Sequence, residues 1–406
     1  MVSKKKATIM CIISGICFSV LTLIIAVMLF TGSFWGINDG LFTKIKHIRE
    51  IGETASIIEN TFYKDIDIND VFNSGSRAMI NSLEDKYARF YTTEEYLEFQ
   101  NSLKGVYNGV GVVIEVLDDG KVRIANVYED SPAERADIKI DDIILNVNGT
   151  KTTGMAAEDI IALFKQDLDK PIKVTLERLG VEYSVELVNE EIKTKKVHFK
   201  TLDNDITYIK IDEFQGDDVQ GFKDAVEFAK TSNAKGIVID LRNNPGGNLF
   251  DVVAIADLLL PQGPVISIKP KNGKVDTLYS DEEALGLPMS VLINKNSASG
   301  SEALAGAIQD YEAGVIVGET SFGKGIVQTT YPLISSGAHV KLTTATYLTP
   351  KNREIHEQGI IPDIFSKMDD NTNVPYNIEE IGKNKDKQLD TALEIVKKLI
   401  NTKEGS

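Results

Sequence analysis

The sequence predicts an α/β domain that is preceded by a compact β-rich module, a helical region and one apolar segment. From Val197 onward, candidate strands and helices alternate, which is typical of a sheet covered by helices. Residues 103–190 instead contain short β-branched runs separated by Asp-Gly, Asn-Gly and Ser-Pro turns. Isoleucines at helical spacing among charges fill residues 41–102. We therefore divide the chain into a segment 1–35, a helical region 41–102, a β-rich module 103–190, an α/β core 191–370 and a C-terminal helical segment 371–406.

The overall composition excludes several classes of protein. The 406 residues are enough for two to three domains of about 150 residues each. With 60 acidic and 44 basic residues the net charge is −16, so the surface repels polyanions and we expect no nucleic-acid partner. Both cysteines, Cys11 and Cys17, precede the predicted domains. The domains therefore form no disulfide, which suits a bacterial envelope protein better than a disulfide-stapled ectodomain.

The apolar segment predicts a membrane anchor. Residues 7–30 carry no charge and directly follow three lysines at positions 4–6. At 1.5 Å per residue this run reaches about 36 Å, more than the bilayer core of about 30 Å. The lysines orient the helix with its N terminus in the cytoplasm. We expect a single-pass protein of the cell membrane with its domains on the extracytoplasmic face of a Gram-positive bacterium. The alternative is a cleaved signal peptide, for which residues 31–33 are a poor cleavage site.

The individual elements follow from hydrophobic periodicity. In the helical region, apolar residues at helix-like spacing occur over 45–58 and 71–83. In the β-rich module we predict a helix at 156–164 and strands at 110–116, 122–127, 143–147, 172–177 and 183–187. In the core we predict strands at 206–211, 236–240, 289–293, 314–317, 326–331 and 340–347, with helices at 219–231, 249–260, 301–311 and 389–400.

The β-rich module contains two motifs that together resemble a PDZ domain. Residues 107–112 read Tyr-Asn-Gly-Val-Gly-Val, and residues 131–136 read Ser-Pro-Ala-Glu-Arg-Ala. Glycines in such a loop let backbone N–H groups converge on a carboxylate, while the adjacent strand edge accepts a peptide as an extra strand. The resemblance implies that this module binds peptide C termini. The carboxylate-binding residues would be Gly109, Val110, Gly111 and Val112.

Residues 296–302, Asn-Ser-Ala-Ser-Gly-Ser-Glu, lie between an apolar strand and a helix. Ser299 and Glu302 have the spacing of a capping box, so helix capping alone would explain this cluster. A nucleophile can also lie there, because the N terminus of a helix favours developing negative charge.

A second cluster, residues 318–325, matches the first seven positions of a phosphate-binding P-loop. The eighth position is Gly325, where a P-loop needs Ser or Thr to hold magnesium, so we exclude nucleotide hydrolysis. Lys324 lies between two glycines, so it is either a solvated turn residue or a residue that these glycines allow to approach a functional site closely. Residues 240–247, Asp-Leu-Arg-Asn-Asn-Pro-Gly-Gly, follow another buried strand and form either a tight turn or an oxyanion-binding loop.

In this order, and after a PDZ-like module, these motifs resemble those of the carboxy-terminal processing peptidases, also called tail-specific proteases. The resemblance covers about residues 83–400 and includes residues 347–364 as a family-like end of the core. It implies a crotonase-like α/β spiral fold and a Ser/Lys dyad without histidine, with no cofactor or metal. The implied catalytic residues are Ser299, Lys324 and Gln328, of which Gln328 would position the lysine amine. The implied oxyanion donors are Gly246, Gly247 and Gly300. Gly300 stands where the family usually has alanine, a difference that keeps the backbone N–H.

The dyad requires a lysine with a lowered pKa. An ordinary lysine has a pKa of about 10.4 and cannot accept a proton at neutral pH, so the site must lower that pKa toward about 7 to 8. We expect Lys324 to be buried beside Ser299 with no carboxylate in contact. Competing centres are weaker: no Gly-x-Ser-x-Gly elbow accompanies His47, His198, His339 or His356, and residues 356–359 are not a His-Glu-x-x-His zinc motif.

The sequence thus predicts a membrane-anchored serine endopeptidase. Its PDZ domain would capture protein or peptide substrates by their free C termini, and the dyad would cleave them through an acyl-enzyme. The helical segments would form a cap or a homodimer contact, and we expect no cell-wall-binding domain after the core. The alternative is a catalytically silent or latent PDZ scaffold that tethers envelope proteins.

Overall fold

A computed structural model describes residues 18, 19, 22, 39–165, 170–203, 205–281, 284–368, 374, 378–383 and 385–404. The chain divides into two compact units, residues 1–84 and 85–406. The predicted anchor at 7–30 lies outside the described residues, except for the three isolated positions. Among the helices that are described, none is both long enough and apolar enough to cross a bilayer.

Residues 39–84 of the first unit contain two helices, α1 (Asp39–Thr61) and α2 (Ile68–Asn81). The side chain of Asp67 accepts a hydrogen bond from the amide of Asn69 and thereby caps the start of α2. Both helices carry large apolar side chains that remain exposed: Ile45, Ile48, Ile51, Ile57, Phe72 and Met79. The predicted helices at 45–58 and 71–83 are thus present, and their apolar faces are open.

The second unit begins with a strand that the sequence did not predict. Strand β1 (Arg89–Tyr91) is followed by helix α3 (Thr93–Leu103), so the region 41–102 is not entirely helical. Thr92 and Glu95 form a capping box in which each side chain accepts from the other residue's amide, at 3.3 and 2.9 Å. This box starts the helix directly after the strand.

The β-rich module follows as an antiparallel sheet with two short helices. Its strands are β2 (Val106–Gly109), β3 (Val112–Val116), β4 (Val122–Val127), β5 (Ile143–Val147), β6 (Thr150–Lys151), β7 (Ile172–Arg178), β8 (Val181–Leu187) and β9 (Glu190–Lys193). Its helices are α4 (Pro132–Arg135) and α5 (Ala157–Lys165). The sheet has the order β3-β4-β5-β7-β8, with β6 paired to β5. Strands β2 and β9 pair with each other where the chain enters and leaves the module.

The core contains a second, mainly parallel sheet. Its strands are β10 (Val197–Leu202), β11 (Ile206–Ile211), β12 (Gly236–Asp240), β15 (Met289–Ile293), β16 (Val315–Gly318) and β19 (Ile364–Phe365), in the order β10-β11-β12-β15-β16-β19. Only the β10–β11 pair is antiparallel among these described strands. The helices are α6 (Asp218–Thr231), α7 (Leu249–Asp257), α8 (Gly300–Asp310) and α9 (Lys387–Glu404), and a 3₁₀ turn spans Ile378–Glu380.

A third sheet adjoins this core. It has the order β1-β18-β13-β14, with β17 also paired to β18, and uses β13 (Gly263–Pro270), β14 (Asp276–Ser280), β17 (Ile326–Pro332) and β18 (His339–Leu348). All of its described strand pairs are antiparallel. The short strand β1 thereby brings the segment just before it, residues 85–88, into the same sheet assembly as β17 and β18.

Helices cover both faces of the parallel sheet. Successive strand residues point to opposite faces, so Ile209 and Ile239 join the apolar cluster under α6, α7 and α8. Tyr208 and Val238 join the cluster under α9. Burial on both faces explains why apolar residues predominate along these strands instead of alternating with polar ones.

Candidate active site

The candidate site lies where the loops after β12, β15 and β16 meet, at the carboxyl ends of the parallel strands. Backbone hydrogen bonds join the loops: the amide of Ala298 donates to the carbonyl of Asn244, and the amide of Phe322 donates to the carbonyl of Ser297, both at 3.0 Å. Ligands of α/β sheets bind at this end of the strands. The three motifs that were far apart in the sequence are therefore neighbours in the fold.

Ser299 immediately precedes helix α8 and has an unusual backbone conformation. Its φ is 54° and its ψ is −111°, a combination that non-glycine residues rarely adopt. The side chain is partly exposed, while the residues on either side of it are buried. Strained residues of this kind cluster at functional sites, where the surrounding structure holds them in place.

Two buried side chains contact the backbones of both Ser299 and Lys324. The Glu302 carboxylate accepts hydrogen bonds from the amides of Ser299 and Lys324, each at 2.8 Å. The Tyr347 hydroxyl lies 2.7 Å from the carbonyl oxygen of Ser299 and 2.8 Å from that of Lys324. The two predicted dyad residues are thus brought together through their main chains.

Lys324 is half-buried, and its pKa is lowered, first by desolvation and next by the positive charge of Lys341. Its Nζ atom lies over the Tyr87 ring, 4.6 Å from the ring centre. Within the described part of the chain, no carboxylate forms an ion pair with the Lys324 amine, although the Glu302 carboxylate contacts its backbone amide and its charge acts to raise the pKa. The direction of the pKa shift is the one that a general base requires.

The Ser299 hydroxyl and the Lys324 amine form no hydrogen bond with each other among the described residues. Catalytic hydrogen bonds are often longer before substrate binds, so this geometry does not exclude a dyad.

Gln328 also differs from the expectation. Its Nε2 donates to the backbone carbonyl of Tyr87 at 2.6 Å, so it contacts the residue that faces Lys324 instead of the lysine amine.

The amide of Gly246, predicted to donate to an oxyanion, has another acceptor in this structure. Its amide donates to the Asn244 side chain at 2.8 Å, and it is packed so closely that a Cβ there would lie 2.7 Å from both the Cβ of Ser299 and the amide nitrogen of Gly300. Gly246 therefore allows close packing against the serine. The amides of Gly247 and Gly300 donate no hydrogen bond within the described residues, so they remain available to an oxyanion.

The loop predicted to bind a peptide carboxylate joins β2 to β3 in the β-rich module. Gly111 has a φ of 89°, and a Cβ there would lie 2.1 Å from the Cβ of Ser131. The carbonyl of Val110 accepts from the amide of Ala133 at 2.9 Å, which fixes the loop against the start of α4. Strand β3 is at the edge of the described sheet and contacts α5. This arrangement of loop, open strand edge and helix fits peptide binding by strand addition.

Other candidate centres do not form at this site. The ring of His356 approaches it, with Nδ1 3.3 Å from the carbonyl oxygen of Gly323, and His198 pairs with Asp212 at 3.0 Å. Within the described residues, no histidine hydrogen-bonds to Ser299 or Lys324. The same part of the chain contains no group of three or more His, Cys, Asp or Glu side chains that could hold a metal ion.

Sequence reasoning missed three of the side chains that shape the site, namely Tyr87, Lys341 and Tyr347, and interpreted a fourth, Glu302, only as a helix cap. The position of Glu302 three residues after Ser299 was visible in the sequence. The contacts of the other three depend on β1 and β18, and on a sheet pairing that no local pattern indicates.

Comparisons with known proteins match both parts of the second unit. Residues 205–366 match the family "Peptidase family S41", and residues 123–178 match the PDZ domain family. The PDZ match begins after Gly109–Val112, so it does not cover the predicted carboxylate-binding loop. The two matched ranges correspond to the α/β core and to most of the β-rich module.

Individual relatives agree with these families. The chain is 30% identical over 365 residues to a "Probable CtpA-like serine protease" of Staphylococcus aureus (strain COL), covering 89% of this chain and 72% of the relative. It is 31% identical over 322 residues to the "Carboxy-terminal processing protease CtpA" of Bacillus subtilis (strain 168), covering 79% and 69%. Among solved structures, the photosystem II D1 C-terminal processing protease is similar with a TM-score of 0.51 and 26% identity, covering 81% of this chain and 88% of that one.

Proposed function

Because this chain belongs to the carboxy-terminal processing serine peptidases, with the S41 peptidase and PDZ domains of that family, we propose that Ser299 and Lys324 are its catalytic dyad. The observation that carries the proposal is the joint support of the two residues: Glu302 and Tyr347 contact the backbones of both. The lowered pKa of Lys324 agrees with a role as general base.

In this mechanism the Ser299 hydroxyl attacks the scissile carbonyl carbon while its proton passes to the neutral Lys324 amine. The amides of Gly247 and Gly300 stabilise the oxyanion that forms. Collapse of the tetrahedral intermediate breaks the C–N bond, and Lys324 returns the proton to the leaving amine. A water molecule then attacks the acyl-enzyme, transfers a proton to Lys324 and releases the carboxylic acid, which regenerates the serine hydroxyl.

The PDZ domain selects the substrate in our proposal. A protein C terminus would add as a strand along the free edge of β3, between that strand and α5. Its carboxylate would be bound by the loop Gly109–Val112, whose sharp path depends on Gly111. Strand addition reads mainly the backbone, so substrates would share a free, extended C terminus more than a fixed sequence.

We further propose that residues 7–30 anchor the protein in the cell membrane and place its domains on the extracytoplasmic face. The uncharged run and the preceding lysines support this placement. The exposed apolar side chains of α1 and α2 support a homodimer contact through these helices. N-terminal sequencing of the membrane-bound protein tests whether residues 7–30 are retained as an anchor. Sedimentation of the fragment that contains the domains tests the homodimer.

The dyad is tested with purified protein and an unstructured substrate that ends in apolar residues. Wild type should cleave it, whereas Ser299→Ala and Lys324→Ala should lose at least about 10³-fold in kcat. Equal cleavage by all three proteins would refute the dyad. An amidated copy of the substrate should be cleaved more slowly because it lacks the C-terminal carboxylate. If wild type cleaves nothing, a silent or latent PDZ scaffold is favoured instead.

A further inference from the structure

Glu302 accepts more hydrogen bonds than a helix cap needs. Its side chain is completely buried in the first turn of α8. One carboxylate oxygen, Oε2, accepts from the amides of Ser299 and Lys324, each at 2.8 Å. The other, Oε1, accepts from the amide of Gly323 and from the hydroxyl of Ser321, each at 2.6 Å. Three of the four donors therefore belong to the loop that carries Lys324.

The contact with Ser299 has an energetic reason. A non-glycine residue at φ 54° and ψ −111° costs on the order of 1–3 kcal/mol, and such a conformation persists only when its surroundings hold it. A hydrogen bond from an amide to a buried carboxylate is among the stronger ones available in a protein. The bond from the Ser299 amide to Glu302 can therefore offset much of the strain at the nucleophile.

Tyr347 contacts the same two residues but cannot replace Glu302. Its hydroxyl has one proton and faces two carbonyl oxygens, those of Ser299 and Lys324. A hydroxyl donates one hydrogen bond, so Tyr347 donates to one of these carbonyls at a time. A carboxylate has about four lone-pair sites, so Glu302 can accept from both amides at once.

We propose that Glu302 is a positioning residue that holds the main chains of Ser299 and Lys324 at a fixed separation. The inference rests on the proposed dyad and adds to it a single group that links nucleophile and base. If the link is lost, the two side chains are displaced relative to each other. A displacement of about 1 Å at an active site can cost about 100-fold in rate.

The test variant is Glu302→Gln, which has nearly the same shape but only one acceptor oxygen. Its NH₂ group would face two donors, so at least one pair of the four hydrogen bonds is lost. The matched control is Asp310→Asn on the same helix. Asp310 is also buried and binds another loop, through the amide of Lys351 at 2.7 Å and the guanidinium of Arg353 at 2.6 Å.

We expect Glu302→Gln to lower kcat about 10- to 100-fold with little change in KM. The charge of Glu302 raises the pKa of Lys324, and glutamine removes that charge. The acidic limb of the pH profile of kcat/KM should therefore move to lower pH in this variant. Asp310→Asn should lose stability in urea while keeping kcat and the wild-type pH limb. A purely structural role would affect both variants alike and would not shift the pH limb.

Several results would overturn the inference. If wild type cleaves substrate and Glu302→Gln keeps its kcat and pH limb, Glu302 does not position the dyad. If Glu302→Gln does not fold, Glu302→Asp keeps the charge but shortens the reach, and wild-type kcat in that variant would overturn the proposal equally. If wild type cleaves nothing, as a silent or latent scaffold would, a crystal structure of Glu302→Gln decides instead: unchanged Ser299 dihedrals refute the inference, and a relaxed Ser299 supports it.

Discussion

The Nζ atom of Lys324 lies 4.6 Å from the centre of the Tyr87 ring. The face of an aromatic ring attracts a cation, so Tyr87 favours the protonated lysine. Burial of Lys324 and the charge of Lys341 act in the opposite direction and lower its pKa. The pKa of the proposed base therefore depends on opposing effects of Tyr87 and Lys341, and each of these side chains can be replaced separately.

Replacing Tyr87 with leucine should move the acidic limb of kcat/KM to lower pH. Leucine keeps apolar volume over the amine but removes the ring face, which is worth about 0.5–1 kcal/mol and so about half a pH unit. The backbone carbonyl that accepts from Gln328 remains. Tyr87→Phe is the control, since it retains the ring and should keep the limb in place. A shift to higher pH in Tyr87→Leu would show that water entry outweighs the loss of the ring.

Replacing Lys341 with glutamine should move the same limb to higher pH. The positive charge of Lys341 lowers the pKa of Lys324, so its removal lets the base hold its proton to higher pH. The pH–rate profile measures the change, and Lys351→Gln, which removes a largely exposed lysine, is the control. A limb that stays in place would mean that the charge of Lys341 is screened from Lys324.

The sequence predicted the elements that are buried on both faces and missed those that depend on distant pairing. Strands 206–211, 236–240 and 289–293 have the predicted bounds because they are buried on both faces and mainly apolar. The predicted strand 110–116 is instead broken at Gly111, where a positive φ turns the chain. Strands β1, β9 and β13 have no comparable pattern, because each pairs with a strand far away in the sequence, and β14 is added to the sheet through β13.

The same distinction applies to the site. Ser299 and Lys324 could be predicted because their motifs are local and their spacing matches a known family. The oxyanion role of Gly246 could not be decided from the motif, since the structure uses its amide for a hydrogen bond to Asn244. Tyr87 reaches Lys324 only because β1 joins the sheet of β18.

Replacing Gly111 with alanine should weaken capture of free C termini. A Cβ at this position would meet Ser131 at 2.1 Å, and the φ of 89° is strained for any residue with a side chain. We expect a higher KM for substrates with a free C terminus and no change for amidated ones. Gly180→Ala is the matched control, because Gly180 has a φ of 81° with no atom within 4 Å of the added carbon. Equal KM values for Gly111→Ala and wild type would place the carboxylate site elsewhere.

Replacing Asp386 with asparagine should destabilise the core. Arg242 is fully buried just before the glycine loop, and it pairs with Asp240 at 2.6 Å and with Asp386 at 2.8 Å. Removing one partner of a buried pair costs about 3–5 kcal/mol, and we expect about 2–3 here because Asp240 still pairs with the guanidinium. Asparagine preserves the cap that Asp386 gives to α9. Urea unfolding measures the loss, and the exposed Asp390→Asn should change stability by less than about 0.5 kcal/mol.

Replacing Asp218 with asparagine should stabilise the protein at neutral pH. Burial, with the charge of Asp251 adding to it, raises the pKa of Asp218 from 3.8 to about 6. The folded protein therefore holds a proton that the unfolded chain releases between these two values. Stability should fall as pH rises from about 4 to 6, and the wild type carries that cost at pH 7.

Asparagine has no proton to release, so Asp218→Asn should match wild type near pH 4 and exceed it at pH 7. A shift of about two pKa units corresponds to at most about 3 kcal/mol, and solvent reaching the site would reduce this to about 1–2. Urea unfolding at pH 4, 5, 6 and 7 follows the difference. The control is Asp224→Asn, which replaces an exposed aspartate on the same helix. Its free energy of unfolding should change with pH in parallel with that of wild type. Parallel curves for Asp218→Asn as well would mean that Asp218 is ionised in the folded protein at acidic pH, and that its burial costs no stability.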